Sequence, residues 1–308
     1  MVDLEMKLKT KDLLTLEELS SKELSQLLDL SIKFKNDLKK GKHSNLLENK
    51  TLAMIFEKPS TRTRVSFETG MFQLGGHALN LSSNDMQLSR GESIEDTAKT
   101  LSRYVNAIMA RVYDHKIIEK LAKHSSVPVI NGLSNSFHPC QILADLMTIK
   151  EKKKKLKGLK IAWIGDGNNV CNSLIYGCAR SGLSISIATP KGYEPDKKVV
   201  KDSKKHTEVE LTNDPIKSVK NADVVMTDTF KSIHNQDPKR IKKFLPKFQV
   251  NTSLMKHAKK NTIFLHCLPA KRGSEVSSSV IDGPQSVVWD EAENRLHSQK
   301  ALLASFSI

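Results

Sequence analysis

Short apolar segments alternate with amphipathic helical segments along most of this chain of 308 residues. In the first half, the predicted strands cover residues 51–56, 78–81, 107–112 and 128–130, and a helical pattern follows each of them. Strands that alternate with helices are joined by crossover connections, so they form a parallel sheet with helices on both faces. The alternation therefore predicts an α/β protein with a doubly wound sheet.

A lysine-rich stretch near residue 150 interrupts this alternation. Lysines at positions 152–155 and 157 precede Gly158, and apolar runs then resume at 161–164, 184–188, 223–227, 262–265 and 287–289. Helical patterns also cover residues 13–40, before the first strand, and 291–304, after the last. The interruption predicts a domain boundary near residue 150, with one sheet on each side of it.

Composition excludes several classes of function. The formal net charge is +15, but only nine of the 49 basic residues are arginine, the residue that base-edge and bidentate phosphate contacts favour, so no nucleic-acid partner is predicted. The four cysteines, at 140, 171, 178 and 267, have neither the spacing of a zinc site nor the density of a disulfide framework. No uncharged apolar run is long enough to span a membrane, so the expected compartment is the cytoplasm.

The stretch Ser60-Thr61-Arg62-Thr63-Arg64 follows the first predicted strand and a short turn. Ser60 is a favourable N-cap for the helix that follows it. The first turn of a helix presents unpaired backbone N–H groups and the positive end of the helix dipole, and Arg62 adds a charged donor. This stretch therefore predicts a binding site for a phosphate group that needs no glycine-rich loop.

Further polar side chains follow other predicted strands. Arg111 lies near the end of the strand that starts at 107, His138 and Gln141 open the helix ahead of the boundary, and Asp228 follows the strand at 223–227. The strand at 262–265 leads directly into His266-Cys267-Leu268-Pro269. Open α/β sheets build their sites at the carboxyl ends of strands, so these side chains are candidates for a catalytic site.

The stretch Gly165-Asp166-Gly167-Asn168-Asn169-Val170 follows the strand at 161–164 and invites comparison with a dinucleotide-binding loop. Val170 stands where that fingerprint needs its third glycine, and the next strand ends in Thr189-Pro190-Lys191, without the acidic residue expected for a ribose. No nicotinamide cofactor is therefore predicted. Asn168 is expected to stabilise its own turn.

Together, the stretches around Ser60, His138, Asp166 and His266 resemble the aspartate/ornithine carbamoyltransferase family, and most of all its ornithine-specific members. The resemblance implies two similar doubly wound domains, each with a central parallel sheet flanked by helices and joined by interdomain helices. It also implies transfer of the carbamoyl group of carbamoyl phosphate to the δ-amine of L-ornithine, giving citrulline and phosphate in arginine metabolism. No metal and no organic cofactor is implied.

The resemblance assigns carbamoyl phosphate to residues 1–150, on which a closing helix at 291–308 packs back, and ornithine to residues 151–290. The positions that match the family's carbamoyl phosphate contacts are Ser60, Thr61, Arg62, Thr63, Gln87, Arg111, His138, Gln141, Cys267, Leu268 and Arg295. Within this set, Arg111 and His138 would stabilise the oxyanion that develops on the acyl oxygen, and Gln141 would hold the carbamoyl amide.

The implied ornithine contacts are Asn169, Asp228, Ser232 and Ile233. Asn169 would bind the α-carboxylate, while Asp228 and Cys267 would position the δ-amine and accept its proton, which makes these two residues catalytic together with the two oxyanion donors. Covalent catalysis by the thiol remains an alternative. The family usually has Met and Gly after the serine, whereas this chain has Ile233 and His234.

The loop at 86–97 resembles the family segment that reaches the site of a neighbouring subunit, with Gln87 as the contact. The resemblance therefore implies a homotrimer. One alternative is an acceptor such as putrescine or an N-acylated ornithine. Two others are a homologue without catalytic activity, against which the intact set of motifs speaks, and a basic nucleic-acid-binding protein, against which the scarcity of arginine speaks. The sequence leaves open whether the reaction serves arginine synthesis or breakdown.

Overall fold

The computed structural model describes residues 6–230 and 238–306, which divide into two compact units. The first holds the described residues up to Met147 together with those from Glu293 onward, and the second holds Thr148–Ala292. We call them unit 1 and unit 2. Each contains one parallel sheet, and each is described by itself.

Unit 1 is built around four parallel strands. Its elements are α1 (Ser21–Lys39), β1 (Thr51–Phe56), α2 (Thr61–Gln73), β2 (His77–Ser82), α3 (Ile94–Leu101), β3 (Ala107–Arg111), α4 (His115–His124), β4 (Val129–Leu133) and the start of α5 (Pro139–Lys153). The strand order is β2-β1-β3-β4. The direction in which strands are added therefore reverses between β1 and β3.

Unit 2 is built around five parallel strands. Its elements are β5 (Lys160–Ile164), α6 (Asn169–Ser181), β6 (Ser184–Ala188), α7 (Lys197–Ser203), β7 (Val209–Thr212), α8 (Pro215–Val219), β8 (Val224–Met226), α9 (Ile241–Phe244), α10 (Thr252–Met255), β9 (Ile263–Leu265), α11 (Ser278–Ile281) and the start of α12 (Val288–Ser305). The strand order is β7-β6-β5-β8-β9, so the reversal lies between β5 and β8.

The inner strands β1, β3, β5 and β8 are buried along nearly their whole length, as parallel strands covered on both faces must be, whereas the edge strands β2 and β7 are largely exposed or half-buried. In β1, residues 52–56 are all buried, and in β5 residues 161–164 are. The predicted fold class, two doubly wound parallel-sheet domains, is confirmed. Helices α5 and α12 each begin in one unit and end in the other, as the expected interdomain helices would. None of the helices within the described ranges is long and apolar enough to cross a membrane.

The first helix begins later than the helical pattern at 13–40 predicts. Ser20 caps α1, and its side chain forms a reciprocal capping box with Glu23, which fixes the helix start. Leu13 instead extends the sheet edge: its N–H donates to Val129 O, and its carbonyl accepts from the N–H of Asn131. Leu13 is therefore part of the sheet edge beside β4 and not part of a helix.

The predicted strand at 287–289 is wrong. Val287 makes one backbone hydrogen bond to Phe264, and the chain then enters α12 at Val288. Asp290 and Glu291 lie in the first turn of that helix, where acidic side chains are favoured, so the apolar run gives way to a helix. Elements α7, β7 and α8 are not predicted from the sequence, because each has only two aliphatic residues of the Val, Ile and Leu type among polar or charged ones.

Candidate functional site

The candidate site residues lie where the strand order of each sheet reverses. In unit 1, Ser60 follows β1 and Arg111 ends β3, the two strands on either side of the reversal. In unit 2, Asn168 follows β5, Asp228 follows β8, and Cys267 follows the neighbouring strand β9. Crevices at such points are where doubly wound sheets bind ligands, because the loops on either side run in opposite directions.

The start of α2 has the structure that an anion-binding helix tip requires. The Ser60 side chain accepts a hydrogen bond from the Thr63 N–H at 3.3 Å, so Ser60 is the N-cap as predicted. Thr61 and Arg62 are the first two residues of the helix. A surface pocket of about 610 Å³ in this unit is lined by Ser60 and Thr61 among others.

Two arginines from distant parts of the sequence converge on Thr63. Arg111 Nη1 and Arg295 Nη2 each donate to the Thr63 hydroxyl at 3.3 Å. Arg295 Nη1 also donates to Gln141 Oε1 at 2.7 Å, and Gln141 Nε2 donates to Asp145 Oδ1 at 2.8 Å. Arg111, Arg295 and Gln141 therefore form one hydrogen-bonded group around Thr63 in unit 1.

His138 is a neutral imidazole in this environment. Its side chain is buried, and burial lowers its pKa well below 6.5, with Arg295, Arg111 and Arg62 lowering it further. A neutral imidazole can donate one N–H to an oxygen without carrying charge. The three guanidinium groups that depress this pKa supply the positive charge that a phosphorylated ligand requires.

Lys58, directly before the Pro59-Ser60 step, belongs to the same basic environment. Burial and the nearby Arg111 lower its pKa to about 8, and its ammonium lies 3.6 Å from the centre of the Tyr113 ring. Lys58 is not among the site residues that the sequence predicts. Its charge adds to the positive potential near the start of α2.

In unit 2, side chains from the two neighbouring strand ends contact Asp228. The Cys267 thiol donates to Asp228 Oδ1 at 3.2 Å. Asn168 Nδ2 donates to Asp228 Oδ2 at 2.7 Å, and the N–H of Thr229 donates to Oδ1 at 2.7 Å. Asp228 is therefore a buried carboxylate with donors on both oxygens, next to a thiol.

The loop that carries Cys267 is held by two buried carboxylates. The N–H of His266 donates to Glu291 Oε2 at 2.9 Å, and His266 Nε2 lies 3.3 Å from Glu275 Oε1. The Leu268 N–H donates to His266 Nδ1 at 2.9 Å, which assigns the remaining ring proton to Nε2. Leu268 has a φ of 55°, a strained value for a residue with a branched side chain, so this network holds the loop in an unfavourable conformation.

The ligand atoms of Asp228, His266 and Cys267 lie within 4.8 Å of one another, a spacing that a metal ion could bridge. Each of these groups already has a hydrogen-bond partner: the thiol and the carboxylate contact each other, and both imidazole nitrogens are engaged. The network by itself accounts for the short separations. The expectation that the chemistry needs no metal stays a prediction.

The remaining predicted site residues are placed as follows. Asn169 is the first residue of α6 and is buried, next to Asn168. Gln87 begins a short 3₁₀ turn, and its side chain is exposed. Ser232 and Ile233, together with His234, lie outside the described residues.

Sequence reasoning misses two contacts of this region. Asn168 is expected to stabilise its own turn, but it also binds Asp228. Arg240 forms an ion pair with Asp166, in the loop between β5 and α6. Burial raises the pKa of Asp166 to about 6, and Arg240 opposes that rise. No local sequence signal marks either partner, because each contact depends on which strands are neighbours.

Comparison with known proteins identifies the family. The family model described as aspartate/ornithine carbamoyltransferase, carbamoyl-P binding domain matches residues 11–151, and the one described as Asp/Orn binding domain matches residues 157–306. An ornithine carbamoyltransferase of Cenarchaeum symbiosum is 61% identical over 305 residues, which cover 98% of this chain and 100% of the relative.

Solved structures agree with this assignment. The ornithine carbamoyltransferase from Pyrococcus furiosus matches with a TM-score of 0.93 and 55% identity, covering 97% of this chain and 98% of that one. The anabolic ornithine carbamoyltransferase from Campylobacter jejuni matches with a TM-score of 0.89 and 42% identity, covering 96% and 98%. This chain therefore belongs to the aspartate/ornithine carbamoyltransferase family.

Proposed function

We propose that this chain is an enzyme that transfers the carbamoyl group of carbamoyl phosphate to the δ-amine of L-ornithine, releasing citrulline and phosphate. The observation that carries the proposal is the convergence of Arg111 and Arg295 on Thr63, beside the capped start of α2 and the neutral His138. The choice of ornithine as acceptor is supported by the 61% identity to a relative named ornithine carbamoyltransferase.

Carbamoyl phosphate is proposed to bind in unit 1. The N–H groups at the start of α2, the hydroxyls of Ser60, Thr61 and Thr63, and the Arg62 guanidinium would hold the phosphate. The oxygen of the carbamoyl carbonyl gains negative charge as the amine attacks, and Arg111, Arg295 and the imidazole of His138 are proposed to donate to it. Gln141 would bind the carbamoyl amide.

Ornithine is proposed to bind in unit 2, with Asn169 at its α-carboxylate. A primary amine has an ordinary pKa of about 10.4, and only its neutral form can attack a carbonyl carbon. The buried carboxylate of Asp228, which already accepts from the Cys267 thiol, is the proposed acceptor for hydrogen bonds from the amine. Ser232 and Ile233 are further proposed ornithine contacts, and Cys267 and Leu268 are further proposed contacts of the carbamoyl group.

A homotrimer is the proposed assembly, with Gln87 completing the phosphate site of a neighbouring subunit. Its support in the structure is an apolar surface of unit 1. Val65 and Phe72 on α2 are 54% and 80% exposed, and both line one surface pocket of about 460 Å³. Exposed apolar side chains grouped in this way mark protein contacts.

We also propose that the protein is located in the cytoplasm and acts in arginine biosynthesis. The role in biosynthesis is proposed because two relatives are named anabolic.

A citrulline assay tests the proposed function. Purified chain is supplied with carbamoyl phosphate and, in separate reactions, with L-ornithine, putrescine, N-acetylornithine and aspartate. The proposal is supported if the rate of citrulline formation from L-ornithine is far higher than the rate of product formation from any other acceptor. A preference for putrescine or N-acetylornithine would identify Ile233 and His234 as changes of acceptor specificity, and no product with any amine would indicate a homologue without catalytic activity.

A further inference from the structure

We propose that Asn168 is a positioning residue that orients the Asp228 carboxylate for the ornithine amine. The inference rests on the proposed function, since Asp228 has a task only if an amine is the acceptor. It extends that function to a side chain which neither the family motifs nor the local sequence marks for it. Three features of the structure support it: the orientation of the Asn168 amide, the hydrogen bonds of the Asp228 oxygens, and the rigidity of the loop.

The orientation of the Asn168 amide is fixed by the helix that it caps. Its Oδ1 accepts from the N–H groups of Val170 at 3.0 Å and Cys171 at 3.1 Å. An amide has one oxygen and one NH₂ group, so an oxygen held by two donors leaves the nitrogen a single direction. That direction leads to Asp228 Oδ2, 2.7 Å away. The amide oxygen of Asn168 therefore caps the helix, and the amide nitrogen contacts the carboxylate.

The Asp228 carboxylate is held at both oxygens. Oδ1 accepts from the N–H of Thr229 and from the Cys267 thiol, and Oδ2 accepts from Asn168. Rotation about the terminal torsion of an aspartate is soft, so one anchored oxygen does not define the plane of the group. The bond from Asn168 supplies the second anchor and thereby sets the direction of the lone pairs that stay available to an amine.

The loop that carries Asn168 cannot easily shift. The Thr227 hydroxyl donates to Ile164 O at 2.6 Å and ties the ends of β8 and β5 together. The Trp163 indole N–H donates to Asp166 O at 2.9 Å. A side chain at Gly167 would come within 2.2 Å of the Pro195 nitrogen, so the turn also packs closely against a second segment. Loss of the Asn168 donor therefore cannot be compensated by movement of the backbone.

The test is the variant Asn168→Ser, with Asn251→Ser as its matched control. Serine is as good an N-cap as asparagine, so the helix start is retained, but the hydroxyl is too short to replace the bond to Asp228. Asn251 caps α10 by accepting from the Leu254 N–H at 3.0 Å. The same exchange there alters a cap of the same unit, away from the proposed site.

We expect Asn168→Ser to lower kcat with ornithine by about 10-fold to 100-fold, the range in which a misoriented group costs rate. Its urea midpoint and its affinity for carbamoyl phosphate should equal those of the wild type, and Asn251→Ser should match the wild type in every measurement. Unchanged kcat in Asn168→Ser would overturn the inference. So would a loss of kcat accompanied by an equal loss of stability, or shared by Asn251→Ser.

A second variant, Asn168→Asp, is tested by the pH dependence of kcat/KM. That dependence should not change if Asn168 only stabilises the fold. Aspartate also caps helices, but here it puts a carboxylate against Asp228. Two carboxylates in contact cannot both ionise easily, so the acid limb of the kcat/KM profile should move to higher pH. The other titratable or charged groups close to these two carboxylates are the Cys267 thiol, the Asp166–Arg240 ion pair and the buried His266.

An unshifted profile in Asn168→Asp would contradict the inference even if kcat falls. The failure of the proposed function has a different signature. Wild-type chain that makes no citrulline refutes both, whereas active wild type with a fully active Asn168→Ser refutes the positioning role alone.

Discussion

Arg62 lies at the second position of α2, where its guanidinium is close enough to His138 to lower the pKa of that imidazole. We expect Arg62→Ala to reduce kcat/KM for carbamoyl phosphate by at least about 100-fold, because it removes a charged donor from the phosphate. Calorimetric titration with carbamoyl phosphate should show the same loss in affinity. The exposed Arg103 of unit 1 provides the control, Arg103→Ala. Near-normal turnover of Arg62→Ala would refute the assignment of the phosphate site.

Cys267 donates to Asp228, and this contact distinguishes two roles for the thiol. If the thiol positions Asp228, a serine hydroxyl can make the same donation, and Cys267→Ser should keep activity within about 10-fold of the wild type. Cys267→Ala, which has no donor, should be weaker than Cys267→Ser. If the thiol were a covalent nucleophile, both variants would be inactive. Steady-state citrulline assays of the two variants separate these outcomes.

The side chains that the sequence identifies correctly are those in motifs at strand ends, because such motifs depend only on the local order of residues. Ser60 as an N-cap follows from the strand that precedes it and the helical pattern that follows. The contacts of Asn168 with Asp228, and of Arg240 with Asp166, depend on β5 and β8 being neighbours. Those residues are about 60 to 75 positions apart, and propensity and periodicity carry no information over such a separation.

At the scale of elements, the start of α12 supports the loop that follows β9. Glu291 is buried and accepts the N–H of His266. We expect Glu291→Ala to lower the unfolding free energy of unit 2 by about 2 to 3 kcal/mol, since a buried donor loses a charged acceptor. Both tryptophans, Trp163 and Trp289, lie in this unit, so their fluorescence in a urea titration measures the change.

Asp290, one residue earlier in the same helix and in the same unit, is the control for that variant. It pairs with Lys152 at 2.9 Å and both side chains are partly exposed, so Asp290→Ala should cost no more than about 1 kcal/mol. Equal effects of the two substitutions would mean that the His266 contact contributes nothing specific. A large effect of Glu291→Ala alone should also raise the KM for carbamoyl phosphate, because the strained Leu268, a proposed contact of the carbamoyl group, loses its support.

Elements with long apolar runs are predictable, and those with short or charged ones are not. The run at 51–56 gives β1 with the predicted bounds, because a strand buried on both faces must be apolar throughout. The run at 287–289 is equally apolar but becomes helix, since the acidic residues after it favour a helix start. The sheet edge strand β7 carries Glu210 among its four residues, and such half-exposed strands lack a clear signal.

At the scale of the whole molecule, buried histidines make stability depend on pH. Burial lowers the pKa values of His115 and His138, and that of His297 to about 4, all in unit 1. The unfolded chain takes up a proton at each below pH of about 6.5, whereas the folded chain does not. Their contribution to stability is therefore complete above that pH and is lost as the pH falls.

We expect His297→Gln to weaken this acid sensitivity. Each such histidine can contribute a slope of up to about 1.4 kcal/mol per pH unit between its unfolded and folded pKa values, so one contribution should disappear. Calorimetric melting between pH 7 and pH 5 measures the slope, and His206→Gln, at an exposed position of unit 2, is the control. A slope that stays the same in His297→Gln would show that this imidazole is charged in the folded chain.

The proposed trimer predicts that two inactive variants restore activity when they are mixed. If Gln87 serves a neighbour's site while Arg62 serves its own, then Arg62→Ala and Gln87→Ala chains are each inactive alone, but mixed trimers contain native sites. In a closed ring of three, every mixed trimer has one junction at which an intact Arg62 meets an intact Gln87. Random reassembly of equal amounts should therefore restore about a quarter of wild-type activity, since about three quarters of the trimers are mixed.

Mixing by joint refolding, followed by the citrulline assay and by light scattering for the molar mass, carries out this test. Recovery of activity requires that the two residues belong to different chains of one site, because chains that complete their own sites would stay inactive after mixing. The exposed Gln87 and the apolar surface at Val65 and Phe72 favour recovery. A monomeric mass together with full activity of Gln87→Ala would refute the trimer and would leave the phosphate site to residues of a single chain.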